Sequence, residues 1–285
     1  RMPLRGLGTN GFTGELARTS VLGFLRLGGR HVDTALLYGN HDDIRAALAS
    51  SGVHRSEVFL VSKLPPTSMG SGAATAAVNQ IVSELGTQVD LLLIHWPAHW
   101  DTAVELPPCA RPPGSWRRCR AETWRAMEEA HFQGKVRSLG VSNFGVRHLE
   151  DLLQEPGRRL HVAVNQVEMH PWWPQVELRS FCAQHKIAVT AYGSLGSSLL
   201  GGAMLQADSV VEVAAKRRRS PAQVLLRWAM QQGVAVIPSS SSEEHLADNL
   251  DIAIWELSAS DMRLLSAVAP QDRLRVFLPD PEGVP

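Results

Sequence analysis

Neither sign of charge predominates in this 285-residue chain, where 28 lysines and arginines balance 28 aspartates and glutamates. So even a balance offers no global field for nucleic acid or for an anionic membrane surface. Cysteine is scarce. Cys109, Cys119 and Cys182 are too few and too irregularly spaced for a disulfide framework or a zinc site, so no metal is expected and a reducing compartment is the default. No run approaches the roughly 18 apolar residues of a membrane span, and the N-terminus lacks a signal-peptide pattern. The expected address is therefore cytoplasmic, with Arg1 in place of an initiator methionine leaving an upstream segment open. A GxGxxG following a strand is also missing, which argues against a Rossmann dehydrogenase.

What the chain does contain is alternation. Short β-rich runs (GLGT, RHVDTA, EVFLVSKL, VDLLLIHWP, VRSLGVSNF, VAVNQVEM, AVTAYGSL and VAVIPSS) are separated by helical stretches such as AATAAVNQIVSEL, AETWRAMEEAHFQ and QVELRSFCAQHK. Most runs are continuously apolar, as parallel strands buried on both faces should be. Ser220-Pro221 reads as an N-cap followed by proline at the first helical position, opening PAQVLLRWAMQQ, which Gly233 ends. Eight strands alternating with helices predict an α/β fold, a (β/α)8 TIM barrel forming one domain over residues 1–285, with a doubly wound sheet as the alternative. A long Pro-rich loop is expected from Trp96 to Arg120, and long loops within compact domains are usually functional or disordered. The single basic run, KRRR at 216–219, reads as a solvated helix end rather than a nucleic-acid patch.

Functional side chains of such barrels sit at the carboxyl ends of the strands. Asp33 and Tyr38 follow the second strand, Lys63 ends the third and His95 the fourth. Singly, each has an ordinary explanation, in a turn aspartate, a surface cation or a core histidine. Four titratable groups at one rim instead make a site.

Over essentially its whole length the chain resembles the aldo-keto reductases. The resemblance is carried by RHVDTALLYGN, VSKL, DLLLIHWP, GKVRSLGVSNF, VNQVEMHP, AYGSLG, PAQVLLRWAMQQG and VIPS. It implies the same barrel and a catalytic tetrad of Asp33, Tyr38, Lys63 and His95, with Tyr38 donating a proton to a carbonyl oxygen reduced by hydride. An unperturbed phenol has a pKa of about 10, and the Lys63 ammonium is expected to lower it. Asp33 would hold that lysine charged, and His95 would bind the substrate oxygen. The resemblance further implies that Ser142, Asn143 and Gln166 hold a nicotinamide carboxamide, that Tyr192 stacks on the ring, that Leu195 meets the pyrophosphate, and that Asp248 and Asn249 read the adenine.

Some positions depart from the family's pattern. Ser239 and His245 stand where a lysine and an arginine commonly grip the 2′-phosphate of NADP, while Ser240 keeps the usual serine. NADP(H) is expected as the favoured cofactor, with NAD(H) possible. Asn10 and Pro65 occupy places where the family often has tryptophans, and His41 replaces an acidic residue. Asn10, Trp96 and Trp100 are expected to contact substrate, Trp116 to lie in the loop near them, and Phe277 or Leu278 to reach the pocket lip. The expectation is thus a monomeric NAD(P)H-dependent reductase of small carbonyl compounds, with neither nucleic acid nor membrane as partner. A barrel kept for cofactor binding or for a structural role is the alternative.

Overall fold

Eight parallel strands follow one another around a single sheet in chain order. They are β1 Leu7–Gly8, β2 His31–Asp33, β3 Phe59–Leu64, β4 Val89–Ile94, β5 Val136–Ser142, β6 Val164–Glu168, β7 Ala188–Tyr192 and β8 Ala235–Val236. The sheet closes where Arg5 bridges Val236 and the Gly6 amide donates to the Val236 carbonyl at 2.8 Å. This computed structural model describes residues 1–99, 105–111, 116–196, 202–267, 275 and 283–285. Its helices are α1 Gly14–Arg26, α2 His41–Ser50, α3 Ser71–Leu85, α4 Trp116–Phe132, α5 Val146–Leu153, α6 Val176–Gln184, α7 Asp208–Arg217, α8 Pro221–Met230, α9 Glu243–Leu250 and α10 Ala259–Ser266. The fold is the (β/α)8 barrel, not the doubly wound sheet, because the segment entering β1 bonds to β8 rather than leaving both edges open.

Each strand divides its side chains by parity. On β3, Val61 belongs to a small cluster inside the barrel with Leu91, Leu93 and Val164, whereas Leu60 and Leu64 join the larger layer beneath the helices. The same alternation sends Asp33, Lys63, His95, Ser142, Gln166 and Tyr192 inward at the carboxyl ends of β2 to β7. Gly140 keeps the interior passable, since a Cβ there would lie 2.5 Å from the Val164 carbonyl oxygen and 2.8 Å from Leu93. Several strands are shorter than the apolar runs suggest. β8 stops at Val236 because Pro238, two residues on, has no N–H to continue the ladder.

Outer elements follow local rules. The Ser220 hydroxyl accepts from the Gln223 amide at 3.2 Å and caps α8 as expected. The basic run is absorbed within the fold: Lys216 and Arg217 pair with Asp261, and Arg219 pairs with Asp251 while lying over the Trp255 ring. No helix among the described residues is long and apolar enough to cross a membrane.

Two expectations about the loop after β4 need correction. Trp116 is not a loop residue at the mouth; it opens α4 and is buried in the outer core. Cys109 and Cys119 form a disulfide, with Cα atoms 5.1 Å apart, that ties a short 3-10 turn at Pro108–Ala110 to the first turn of α4. Spacing does not reveal such a pair, because bridging depends on where the backbone returns. A lasting bridge belongs to oxidising surroundings, so the cysteine count no longer argues for a reducing compartment. Under denaturing, non-reducing conditions one thiol, that of Cys182, should titrate with a thiol-reactive dye. Three titrating thiols would show that the bridge does not form.

Candidate active site

Lys63 lies at the centre of the barrel mouth, fully buried. An ammonium has three protons, and each has an acceptor here. One goes to Asp33 Oδ1, one to the Thr34 carbonyl at 3.0 Å and one to the Tyr38 hydroxyl at 3.5 Å. Burial favours loss of the lysine's proton, but Asp33 and Tyr38 outweigh it and raise the pKa above its usual value. The lysine is therefore a fixed positive charge beneath the phenol. The second carboxylate oxygen of Asp33 accepts from Gln166 Nε2 at 2.6 Å, so both oxygens of the buried acid are held.

Tyr38 sits in a short 3-10 turn after β2. Burial raises the pKa of its phenol, with Lys63 pulling it down and Asp33 pushing it up. The net shift is upward, opposite to the expectation that the Lys63 ammonium lowers it, because desolvation of a phenolate costs more than Lys63 returns. The phenol consequently holds its proton at neutral pH. The His95 ring meets Tyr38 edge-on with centroids 5.7 Å apart. Burial and then Lys63 hold His95 well below the usual histidine range, so it is neutral. Its Nδ1 is buried without a partner among the described residues. That favours the tautomer with the proton on Nε2, since a buried N–H without an acceptor is costly.

A second network runs beside this one. Asn143, in the left-handed region at φ 62°, donates from Nδ2 to the His95 carbonyl at 3.0 Å and to Ser142 Oγ at 3.2 Å. Its Oδ1 accepts from the Tyr192 hydroxyl at 2.6 Å, and Ser142 Oγ donates to the Gln166 carbonyl at 2.8 Å. These groups surround a cavity of about 1230 Å³ that Asn10, Tyr38, His95, Trp96, Leu195 and His245 also line. That exceeds the roughly 300–1,000 Å³ of single small-ligand sites and leaves room for a dinucleotide beside a small substrate.

The family model described as "Aldo/keto reductase family" matches residues 5–270. The chain belongs to the aldo/keto reductase family. A glyoxal reductase of Bacillus subtilis is 36% identical over 275 residues, covering 96% of this chain and 91% of that one. Glycerol 2-dehydrogenase (NADP(+)) of Saccharomyces cerevisiae is 35% identical over 282 residues, covering 95% and 88%. The crystal structure of an aldo/keto reductase from Brucella melitensis superposes with a TM-score of 0.81 at 34% identity, covering 93% of each chain. This aldo-keto reductase is an oxidoreductase that acts on carbonyl groups.

The positions singled out in the sequence are distributed as follows. Asp33, Tyr38 and His95 line the cavity, and Lys63 is buried directly behind them. Ser142, Asn143, Gln166, Tyr192, Leu195, Ser239, Ser240 and His245 line it as well, together with Asn10 and Trp96. Asp248 and Asn249 do not: they lie farther along α9 than His245, and Asn249 is buried in the helix's inner face. Trp100, Phe277 and Leu278 fall outside the described residues. Pro65 is buried and takes no part in the lining, while His41 lies behind β3, bonded to Glu84 at 2.8 Å and Ser62 at 3.1 Å.

Sequence reasoning missed Asn40. Its buried amide donates to the Thr9 and Phe12 carbonyls at 3.0 and 2.8 Å and accepts from the Thr34 hydroxyl at 2.6 Å. It thereby fixes the β1 and β2 ends that carry Asn10 and Asp33; its place in the YGN motif was the available signal.

Four buried histidines give a stability signature. His31, His41 and His95 are held below their usual pKa, first by burial, and His148 is lowered to about 4 by burial and then by Arg120. Unfolded, each takes a proton near pH 6.5, so below that pH the unfolded chain binds more protons than the folded one. Stability should be full above about pH 7 and fall as pH drops toward the folded pKa values. The melting temperature should therefore decline between pH 7 and 5, and less steeply in His148→Gln; a flat profile in the parent would contradict neutral burial.

Proposed function

We propose that this aldo-keto reductase reduces small aldehydes and α-dicarbonyl compounds, with NADPH the preferred and NADH a usable cofactor. The observation that carries the reading is the Asp33–Lys63–Tyr38–His95 arrangement opening into a cavity large enough for two ligands. The lining fits a nicotinamide dinucleotide. Tyr192 offers an aromatic face, and Gln166 Oε1 an acceptor for an amide N–H. Gly8 leaves a space in which a Cβ would lie 2.7 Å from the Ile237 carbonyl oxygen and 3.2 Å from Ser239 Oγ. The cofactor supplies the hydride when bound.

The chain's residues do the rest. His95 Nε2–H would hydrogen-bond the substrate carbonyl oxygen, polarising it and orienting its carbon. Negative charge developing on that oxygen draws the proton of Tyr38, and the alcohol forms. Lys63, already charged and already on the Tyr38 oxygen, then stabilises the phenolate left behind. Asp33 keeps the lysine from drifting and from losing its charge. A barrel kept only for binding would need none of this alignment, and that reading is not favoured.

Two observations support small substrates: Asn10 stands on the cavity wall in place of a tryptophan, and the B. subtilis relative is named for glyoxal. The preference for NADPH draws on the yeast relative's name and on hydroxyls. Ser239, Ser240 and Ser242 line the outer cavity beside the N-terminus of α9, where peptide dipoles favour an anion. Glu243 and Glu244 in that first turn work against a phosphate.

Tyr38→Phe should lower kcat for a simple aldehyde by about 10²–10⁴-fold, the usual scale of general acid catalysis, while the cofactor Kd stays within a few-fold. Turnover within a few-fold of the parent would remove Tyr38 from the chemistry. Charge-assisted hydrogen bonds contribute about 1.5–3 kcal/mol each. Ser239→Lys combined with His245→Arg should therefore raise the NADPH-over-NADH affinity ratio at least about tenfold, read by fluorescence titration of both cofactors. An unchanged ratio would place the 2′-phosphate elsewhere.

A further inference from the structure

A buried cation on α4 has no part in these roles. Arg120 lies in the second turn of that helix, with its side chain only 5% exposed. Taking a guanidinium out of water is costly unless its N–H groups find acceptors. Nη1 donates to the Pro97 carbonyl at 3.2 Å and to the Pro285 carbonyl at 2.9 Å, and Nη2 donates to Asp151 Oδ2 on α5 at 3.1 Å. Its Nε–H has no partner among the described residues. Buried ion pairs add little net stability. The value of this one lies in what the guanidinium holds.

Of the three acceptors, the Pro97 carbonyl bears on the cavity. β4 ends at Ile94, yet His95, Trp96 and Pro97 beyond it are all buried. Buried carbonyls past the end of a strand need donors from elsewhere. The His95 carbonyl takes one from Asn143 Nδ2 at 3.0 Å, and the Pro97 carbonyl takes one from Arg120. Trp96 stands between these two anchors, and it lines the same cavity as His95 and Tyr38. The proline ring locks the φ of Pro97, so holding its carbonyl also restrains the peptide that joins it to Trp96. Asp151 and Pro285 fix the plane of the guanidinium and leave one Nη1 proton for Pro97. Trp96 is thus presented from a backbone pinned on one side by Asn143 and on the other by α4.

We propose that Arg120 is a positioning residue for substrate: through the Pro97 carbonyl it sets the Trp96 ring as the wall against which the apolar body of a substrate packs. The proposal rests on the reductase reading, with Trp96 beside the substrate. Arg120 touches neither the carbonyl nor the proton donor. Its effect therefore belongs to the KM of substrates large enough to meet that wall, since uniform binding changes KM and leaves kcat alone.

Steady-state kinetics on the full chain separate this role from a structural one. KM and kcat are measured for benzaldehyde and for glyoxal at saturating NADPH in the parent, Arg120→Met, Trp96→Ala and the double variant. Arg120→Met should raise the benzaldehyde KM about five- to tenfold in the parent, yet by less than about twofold in the Trp96→Ala background, the coupling expected of residues sharing one network. The glyoxal KM should stay within about twofold, and kcat for both aldehydes within about threefold. Asp151→Asn, which removes the ion pair but keeps an acceptor, should lower the melting temperature and leave both KM values as they are. If the methionine variant does not fold, Arg120→Lys keeps a cation beside Asp151 without the planar fork and should show the same dependence on Trp96. Equal KM losses in both backgrounds, no loss in either, or a benzaldehyde KM indifferent to Trp96→Ala would overturn the proposal while leaving the reductase reading intact. A parent that reduces neither aldehyde with NADPH or NADH would overturn both.

Discussion

The buried ion pair between Lys63 and Asp33 is the interaction on which the mouth of this barrel is organised. Neither charge reaches solvent, and removing one partner from such a pair typically costs about 3–5 kcal/mol because the other is left uncompensated. The remaining protons and the second carboxylate oxygen are accordingly committed: Lys63 to Thr34 and Tyr38, Asp33 to Gln166. The strands bearing these groups cannot shift without exposing a charge to an apolar interior. Rigidity at the mouth of the barrel thus follows from electrostatics as much as from packing.

Around that pair the site divides its labour by desolvation. The same burial that keeps Tyr38 protonated keeps His95 uncharged. That state suits the proposed roles of one as proton donor and the other as neutral hydrogen-bond donor, with the Lys63 ammonium beside the phenol. An exposed arrangement of identical residues would leave the phenol near its solution pKa and the imidazole about one quarter charged at neutral pH.

Much of this was legible in the sequence because barrel chemistry sits at strand ends, and the apolar runs preceding Asp33, Lys63 and His95 locate those ends within a residue or two. Parity then does the rest, turning alternate side chains to one face. Less legible were features set by the folded environment. The direction of the Tyr38 shift depends on how completely the phenol is enclosed, which no local pattern encodes. The Cys109–Cys119 bridge depends on the path of a Pro-rich loop, and Trp116 reads as loop only because the start of α4 lacks an apolar repeat. Arg120 and Pro285 are joined across more than a hundred residues, and neither has a neighbour that announces the other.

Strand parity has a consequence for how the molecule can vary. Inserting or deleting one residue within β2 or β3 would turn Asp33 or Lys63 from the barrel interior to the helix layer, exchanging a paired charge for a buried, unpaired one. The segments after the strands carry no such penalty, since their residues hang from the rim rather than thread through it. Changes of length are therefore confined by physics to the loops other than the Leu36–Tyr38 turn, where they reshape what enters the cavity and leave Tyr38 where it is.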